Sequence, residues 1–364
     1  MTAAELDEDY LAALAADEPA TRTVSSWRPV DLTEALTDGY RPPTPTVGRR
    51  SDGRPVLYAG RTHTLSGESE GGKSWLAQLF AVQELNAGNG VVYVDFEDDG
   101  AAVAHRLLLL GTTKPAIRDR FAYLNPTEPI TTPGAARDLL DAVRDVAAGY
   151  VVLDGVTEAL SLHGLSTLDN DDLATFGRLV TRPLTALGAA VLSLDHVTKD
   201  RETRGRYAIG GVHKLNGLSG AALILENVDR FGDGLAGRSR LSIAKDRPGQ
   251  LRPHALRGKG DLWWFGDFTL DTSRPIPDPA ELRPPVERAE NFRPTVLMSR
   301  VADALAGAPM PLSGADIEHR VTGKAADVRR ALAALVDDSY VAVTDGPRGA
   351  RLHTLTRPYE GDTT

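Results

Sequence analysis

Residues 67 to 75 read Gly67-Glu68-Ser69-Glu70-Gly71-Gly72-Lys73-Ser74-Trp75. Glycines let the backbone turn tightly, so that successive N–H groups point inward at the oxygens of a bound phosphate. A helix predicted to start at Lys73 adds the positive end of its dipole. The spacing G-x-x-x-x-G-K-[ST] assigns Lys73 to the β- and γ-phosphates of a nucleoside triphosphate. It assigns the Ser74 hydroxyl to a Mg²⁺ ion.

Three more polar residues stand where apolar runs end. Tyr150-Val151-Val152-Leu153 leads into Asp154, a second carboxylate for the metal, on a strand expected beside that of the glycine-rich loop. Another strand ends Val94-Asp95-Phe96-Glu97. Extended alternation puts Asp95 and Glu97 on one side and Phe96 on the other, and the C-terminal end of a parallel strand faces the ligand crevice. Glu97, with the longer reach, is expected to be the base that orients an attacking water. Asp98 and Asp99 suit the cap of the next helix. A third run, 189–194, precedes Asp195-His196, where His196 can hydrogen-bond the γ-phosphate and act as its sensor.

These residues need a scaffold that brings strand ends together. Between 51 and 273, strands are predicted near 64–66, 90–96, 121–124, 150–153 and 189–194. Helices are predicted over 73–87, 101–110, 134–148 and 172–187. Strands separated by helices, with apolar runs such as VVYV and YVVL, predict an α/β domain with a mostly parallel sheet covered on both faces. Segments 221–225, 239–244 and 262–270 predict a meander at its edge. Residues 1–50 read as an acidic, proline-rich arm, 274–292 as a linker and 358–364 as a tail. Residues 293–357 hold three helices, Ser313 as an N-cap, and a hairpin. That pattern predicts a winged helix.

Together these features resemble the RecA-like ATPases, and within them the hexameric-helicase branch (DnaB-like and plasmid RepA-type helicases, with related phage and mobile-element ATPases). The likeness covers about 54–260. It rests on GESEGGKS, the strand ending in Glu97, YVVLD, the segment from Asp195 to Lys199, and Ile243-Ala244-Lys245-Asp246-Arg247-Pro248-Gly249. It implies a RecA-like sheet, Mg-ATP as substrate and cofactor, and a homo-oligomer, expected to be a hexamer. By the same likeness Lys245 and Arg247 form a finger reaching a neighbour's γ-phosphate. The family also grips single-stranded DNA with two loops. The second loop here carries Lys199, Arg201, Arg204, Arg206 and Lys214 against Asp200 and Glu202, with Tyr207 available for stacking. The first, 155–172, carries Glu158, Asp169, Asp171 and Asp172 and no cation, a departure from that pattern.

Composition bounds the rest. The 364 residues are 41% hydrophobic and carry a formal charge of −9, which excludes a chain coated in basic charge for nonspecific nucleic-acid binding. Only seven of the 41 basic residues are lysine, and four of those, Lys73, Lys199, Lys214 and Lys245, fall in the segments above. There is no cysteine, hence no disulfide framework. No apolar run is long enough to span a membrane, and the acidic N-terminus is unlike a signal peptide. A cytoplasmic location and no membrane partner are expected. In 293–357, nine Arg or Lys face seven Asp or Glu, so Arg329, Arg330, Arg348 and Arg351 suit phosphate contacts and a protein-docking role equally. The leading expectation is a replicative-type DNA helicase. The alternative is an ATP-switched regulator or loader in which the winged helix or N-terminal arm recruits a replication partner protein or a DNA site.

Overall fold

The computed structural model describes residues 27, 29–97, 99–196, 217–231, 234–258, 260–273, 279–286, 295–346 and 350–359. The chain divides into two compact units, Met1–Pro285 and Val286–Thr364.

The first unit opens with α1 (Thr33–Asp38) and an antiparallel ribbon of β1 (Val47–Arg49) and β2 (Pro55–Leu57). Then come β3 (Thr62–Gly67), α2 (Lys73–Asn86), β4 (Gly90–Asp95), α3 (Gly100–Leu109), α4 (Lys114–Arg120), β5 (Phe121–Leu124), α5 (Ala135–Asp145), β6 (Ala148–Asp154) and α6 (Val156–Leu162). After α7 (Asn170–Phe176), a π-helical turn (Gly177–Thr181) and α8 (Arg182–Ala186) come β7 (Ala190–His196), β8 (Ala221–Asp229), β9 (Ala236–Asp246), β10 (Leu256–Arg257), β11 (Trp263–Asp271) and β12 (Ala280–Arg283).

Ten strands, β3 to β12, form one sheet. Its order is β10-β11-β9-β8-β3-β7-β6-β4-β5, with β12 on β11. From β5 across to β8 every pairing is parallel. From β8 outward the pairings are antiparallel, the meander expected from the sequence. Strand alternation splits the core between the faces. Tyr150 and Val152 pack with Leu76 and Phe80 of α2 and Val103 of α3. Val151 and Leu153 pack with Leu140 of α5, Leu160 of α6 and Leu184 of α8. Burial on both sides explains why these strands read as unbroken apolar runs.

Several expectations are corrected. The strand ending in Asp154 does not lie beside the loop strand, because β7 pairs with both β3 and β6 and separates them. An apolar run signals a doubly buried strand but not which neighbour buries it. The predicted linker contains β12, whose Leu282 is buried and which pairs with β11. Four residues with one apolar anchor are too few to show a period. At the other end, Val47 is buried and the Gly48 N–H donates to Glu84 on α2 at 3.1 Å, so part of the predicted arm packs against the core of the first unit. The helix predicted over 172–187 is interrupted by the π turn just before Pro183, which has no N–H to donate. The predicted first loop contains α6, with Val156, Ala159 and Leu160 buried.

The second unit comprises α9 (Thr295–Ala306), α10 (Gly314–Arg320), α11 (Ala325–Asp337) and strands β13 (Leu312–Ser313), β14 (Val341–Asp345) and β15 (Arg351–Leu355) in the antiparallel order β13-β15-β14. Ser313 caps α10 in a reciprocal capping box with Asp316. The expected face of α11 (Val328, Ala331, Leu332, Leu335) is buried. Arg329 pairs with Glu318 at 3.2 Å and Arg330 with Asp327 at 3.8 Å. Arg348 lies outside the described residues.

Candidate active site

The glycine-rich loop joins β3 to α2 at the C-terminal end of the parallel strands, where β4, β6 and β7 also finish. Asp95 pairs in register with Asp154, and Ser66 with Asp195. Parallel strands share an edge, so Asp154 reaches the loop although its strand is two positions away. Gly72 ends the loop at φ 86°, in the left-handed region. A Cβ there would lie 2.8 Å from the Phe231 ring, so glycine answers both a backbone and a packing demand.

Lys73 is 8% exposed. Its ammonium donates to the carbonyls of Gly67 at 3.2 Å and Glu68 at 2.9 Å, and lies 3.5 Å from His196 Nδ1. Burial lowers its pKa, opposed by the carboxylates of Asp154, Glu97 and Asp195. With the ammonium donating to Nδ1, the histidine proton sits on Nε2. Nε2 faces Glu97 Oε1 at 3.7 Å. Burial and the adjacent Lys73 charge lower the pKa of His196, which keeps the ring neutral. His196 thus stands between the loop lysine and Glu97.

The Asp154 carboxylate accepts a short bond from the Tyr93 hydroxyl, 2.6 Å, and another from the Ser74 hydroxyl. Burial raises its pKa against the effect of these two bonds. Tyr93, fully buried on β4, aims the carboxylate as an outer partner aims a metal ligand. Two hard oxygens, from Ser74 and Asp154, therefore converge. Among the described residues no group of three or more His, Cys, Asp or Glu could hold a metal ion. Mg²⁺ suits such a pair, because one or two protein oxygens suffice when phosphates and waters complete its shell.

Glu97 lies just past the end of β4. Its N–H donates to Asp95 Oδ1 at 3.0 Å. Gly155, at φ 80°, leaves its side space to Glu97, since a Cβ would meet Glu97 Cγ at 2.7 Å. Burial, then a hydrogen bond and charge from Glu158 on α6, push the Glu97 pKa up to about 7. Such a carboxyl is poised to exchange a proton near neutral pH.

These groups surround a cavity of about 330 Å³. Ser69, Glu70, Gly71, Gly72, Lys73, Ser74 and Trp75 line it, with Glu97, Asp154 and His196. Gly67 and Glu68 contribute the carbonyls that hold Lys73. The lining also includes Arg106 and Phe231, which sequence reasoning missed. The Arg106 guanidinium lies 5.5 Å over the Trp75 ring; one arginine on an ordinary helix carries no motif. Glu158 was seen only as acidic charge on a loop. Asp99, as expected, caps its helix by accepting from the Ala101 and Ala102 amides; Asp98 lies outside the described residues.

Lys245 and Arg247 do not line this cavity. Lys245 pairs with Ala222, and Ala222 with Thr64 near the start of β3. The pair thus sits about 10 Å back along the strands from Gly67. Arg247 lies just past the end of β9, its guanidinium donating to the Leu218 carbonyl at 3.2 Å. Between the two, Asp246 turns inward to the Tyr58 hydroxyl at 2.7 Å and the Leu251 amide at 2.8 Å, anchoring the turn. Burial, then the neighbouring Arg247, lower the pKa of Lys245. Lys199, Arg201, Arg204, Arg206, Lys214 and Tyr207 lie outside the described residues.

Residues 28–202 match the family model described as an AAA domain. The matched region contains the glycine-rich loop, Glu97, Asp154 and His196, and stops short of Lys245, Arg247 and the second unit. The match and the mostly parallel sheet both fit an AAA-type P-loop ATPase. No curated protein matches the chain. Among the described residues no helix is long and apolar enough to cross a membrane.

Proposed function

We propose that the chain is an ATP-hydrolysing, oligomeric P-loop motor acting on DNA, with a RecA-like core and a hexameric replicative-type helicase as its form. The observation that carries the hydrolytic part is the convergence of Lys73, Ser74, Asp154, Glu97 and His196 around one cavity at the C-terminal edge of a parallel sheet. The N–H groups of the loop and Lys73 hold the phosphates. Ser74 and Asp154 would hold a Mg²⁺ ion, which would supply charge neutralisation at the phosphates. Glu97 orients a water for in-line attack and accepts its proton. His196, hydrogen-bonded to Lys73 at 3.5 Å and facing Glu97 at 3.7 Å, relays the presence of the γ-phosphate into the segment after β7. That segment holds the five cations assigned to single-stranded DNA in a central channel.

The reading of Lys245 and Arg247 as a finger pair, which rests on their likeness to the RecA-like pattern, calls for assembly as a ring. They are far from their own cavity, so a role at a γ-phosphate requires a neighbouring copy. The C-terminal unit, as a winged helix, and the N-terminal arm, where Trp27, Val30, Leu36 and Tyr40 are exposed, are surfaces for a replication partner protein. A second reading, an ATP-switched regulator or loader, is favoured by α6. In place of a cationic DNA grip, the segment after β6 presents Glu158 to the catalytic carboxylate.

Mixing subunits tests the shared site. Arg247→Ala and Glu97→Gln chains are each expected to be inactive alone. Co-assembled at equal ratio, they should recover turnover, because about one interface in four combines an intact Glu97 with an intact neighbouring Arg247. No recovery in co-assembled rings would contradict a finger acting across the interface.

A further inference from the structure

The glycine-rich loop is gripped from outside by the β8–β9 hairpin near the start of β9, a contact the proposed mechanism does not use. Ser239 on β9 is fully buried, and its hydroxyl donates to the Gly71 carbonyl at 2.9 Å. Planarity of the peptide group ties this bond to the cavity. In a trans peptide the C=O of one residue and the N–H of the next point in opposite directions, and no described peptide is cis. A Gly71 carbonyl held toward the hairpin therefore turns the Gly72 N–H away from it, toward the cavity that both glycines line. The Phe231 ring closes against Gly72 and also against Gly237, where a Cβ would lie 2.5 Å away. The same ring stacks on Phe268, with ring centroids 5.4 Å apart. The 71–72 peptide is thus fixed by a hydrogen bond at its oxygen and a packed ring at its α-carbon.

We propose that Ser239 is a positioning residue for phosphate recognition: through the Gly71 carbonyl it sets the direction of the Gly72 N–H. The proposal rests on the nucleotide-binding reading of the cavity and deepens it. A serine is suited to the position because its side chain points into the buried face of the strand and a small hydroxyl satisfies one carbonyl without crowding. Without it, Gly71 would keep a buried carbonyl lacking this donor. The peptide, flanked by glycines, would then be held only by the Phe231 ring and would sample other orientations.

The test is calorimetric titration of the full chain with a non-hydrolysable ATP analogue and, separately, with inorganic tripolyphosphate, both with Mg²⁺. Ser239→Ala should weaken both probes by the same factor, about tenfold, the scale of one lost hydrogen bond in a buried site. The unfolding temperature should stay within a few degrees of the parent, and Ser239→Thr should restore both affinities. Equal affinities in Ser239→Ala and the parent would overturn the proposal and leave the nucleotide reading intact. Loss in Ser239→Ala that Ser239→Thr fails to rescue would reduce Ser239 to a packing residue. A parent chain that binds neither probe would overturn the nucleotide reading itself, and this inference with it.

Discussion

Replacing Lys73 with alanine is expected to weaken Mg-ATP binding by on the order of a hundredfold or more, the scale of losing charge-assisted bonds to phosphate. The ammonium is nearly buried and already held by the carbonyls of Gly67 and Glu68. It is therefore preorganised beside the place a phosphate would take, and little ordering cost remains. The same cation also balances the carboxylates of Asp154, Glu97 and Asp195. Removing it leaves those charges facing one another, so the unfolding temperature should fall by a few degrees as well. Arginine should not substitute, because its wider planar fork replaces a compact ammonium between two loop carbonyls. Titration calorimetry with a non-hydrolysable analogue reads the affinity, and unchanged affinity in Lys73→Ala would refute the assigned role.

Glu97→Gln is expected to keep nucleotide affinity within a few-fold and to lower turnover by about 10²–10⁴, the range for removing a general base. The amide preserves the shape and the space left by Gly155 but accepts no proton. In the parent chain, kcat/KM should climb with pH through a midpoint near 7 and level off above it. The sign follows from the direction of the shift. Burial and Glu158 push Glu97 up to about 7, so the protonated, inactive form dominates below that value and the base is free above it. A Glu97→Gln chain hydrolysing ATP at the parent rate would move the role of base to another residue.

How far the site could be read in advance depended on where each residue's signal lies. The turn at Gly67–Ser74 is local: glycines, lysine and serine act within one short segment, so their spacing states their chemistry. Glu97, Asp154 and His196 were legible because each follows an apolar run, and parallel strands end on one edge. The order of the strands was not, since β7 enters between β3 and β6 without altering either one's composition. Residues that act across the fold left no trace. Tyr93 is an aromatic residue in a buried strand until its hydroxyl meets Asp154. Ser239 lies 168 positions from Gly71, and Phe231 and Arg106 join the cavity only through packing. Glu158 shows the same limit in reverse. Its charge was visible, but its helix and its partner Glu97 emerge only when α6 folds against the sheet.

The central claim, ATP hydrolysis coupled to DNA, is tested most directly by the steady-state ATPase rate of the full chain as single-stranded DNA is added. Turnover that requires Mg²⁺ and rises several-fold with DNA is the predicted result. Turnover indifferent to DNA at every concentration would contradict the motor reading.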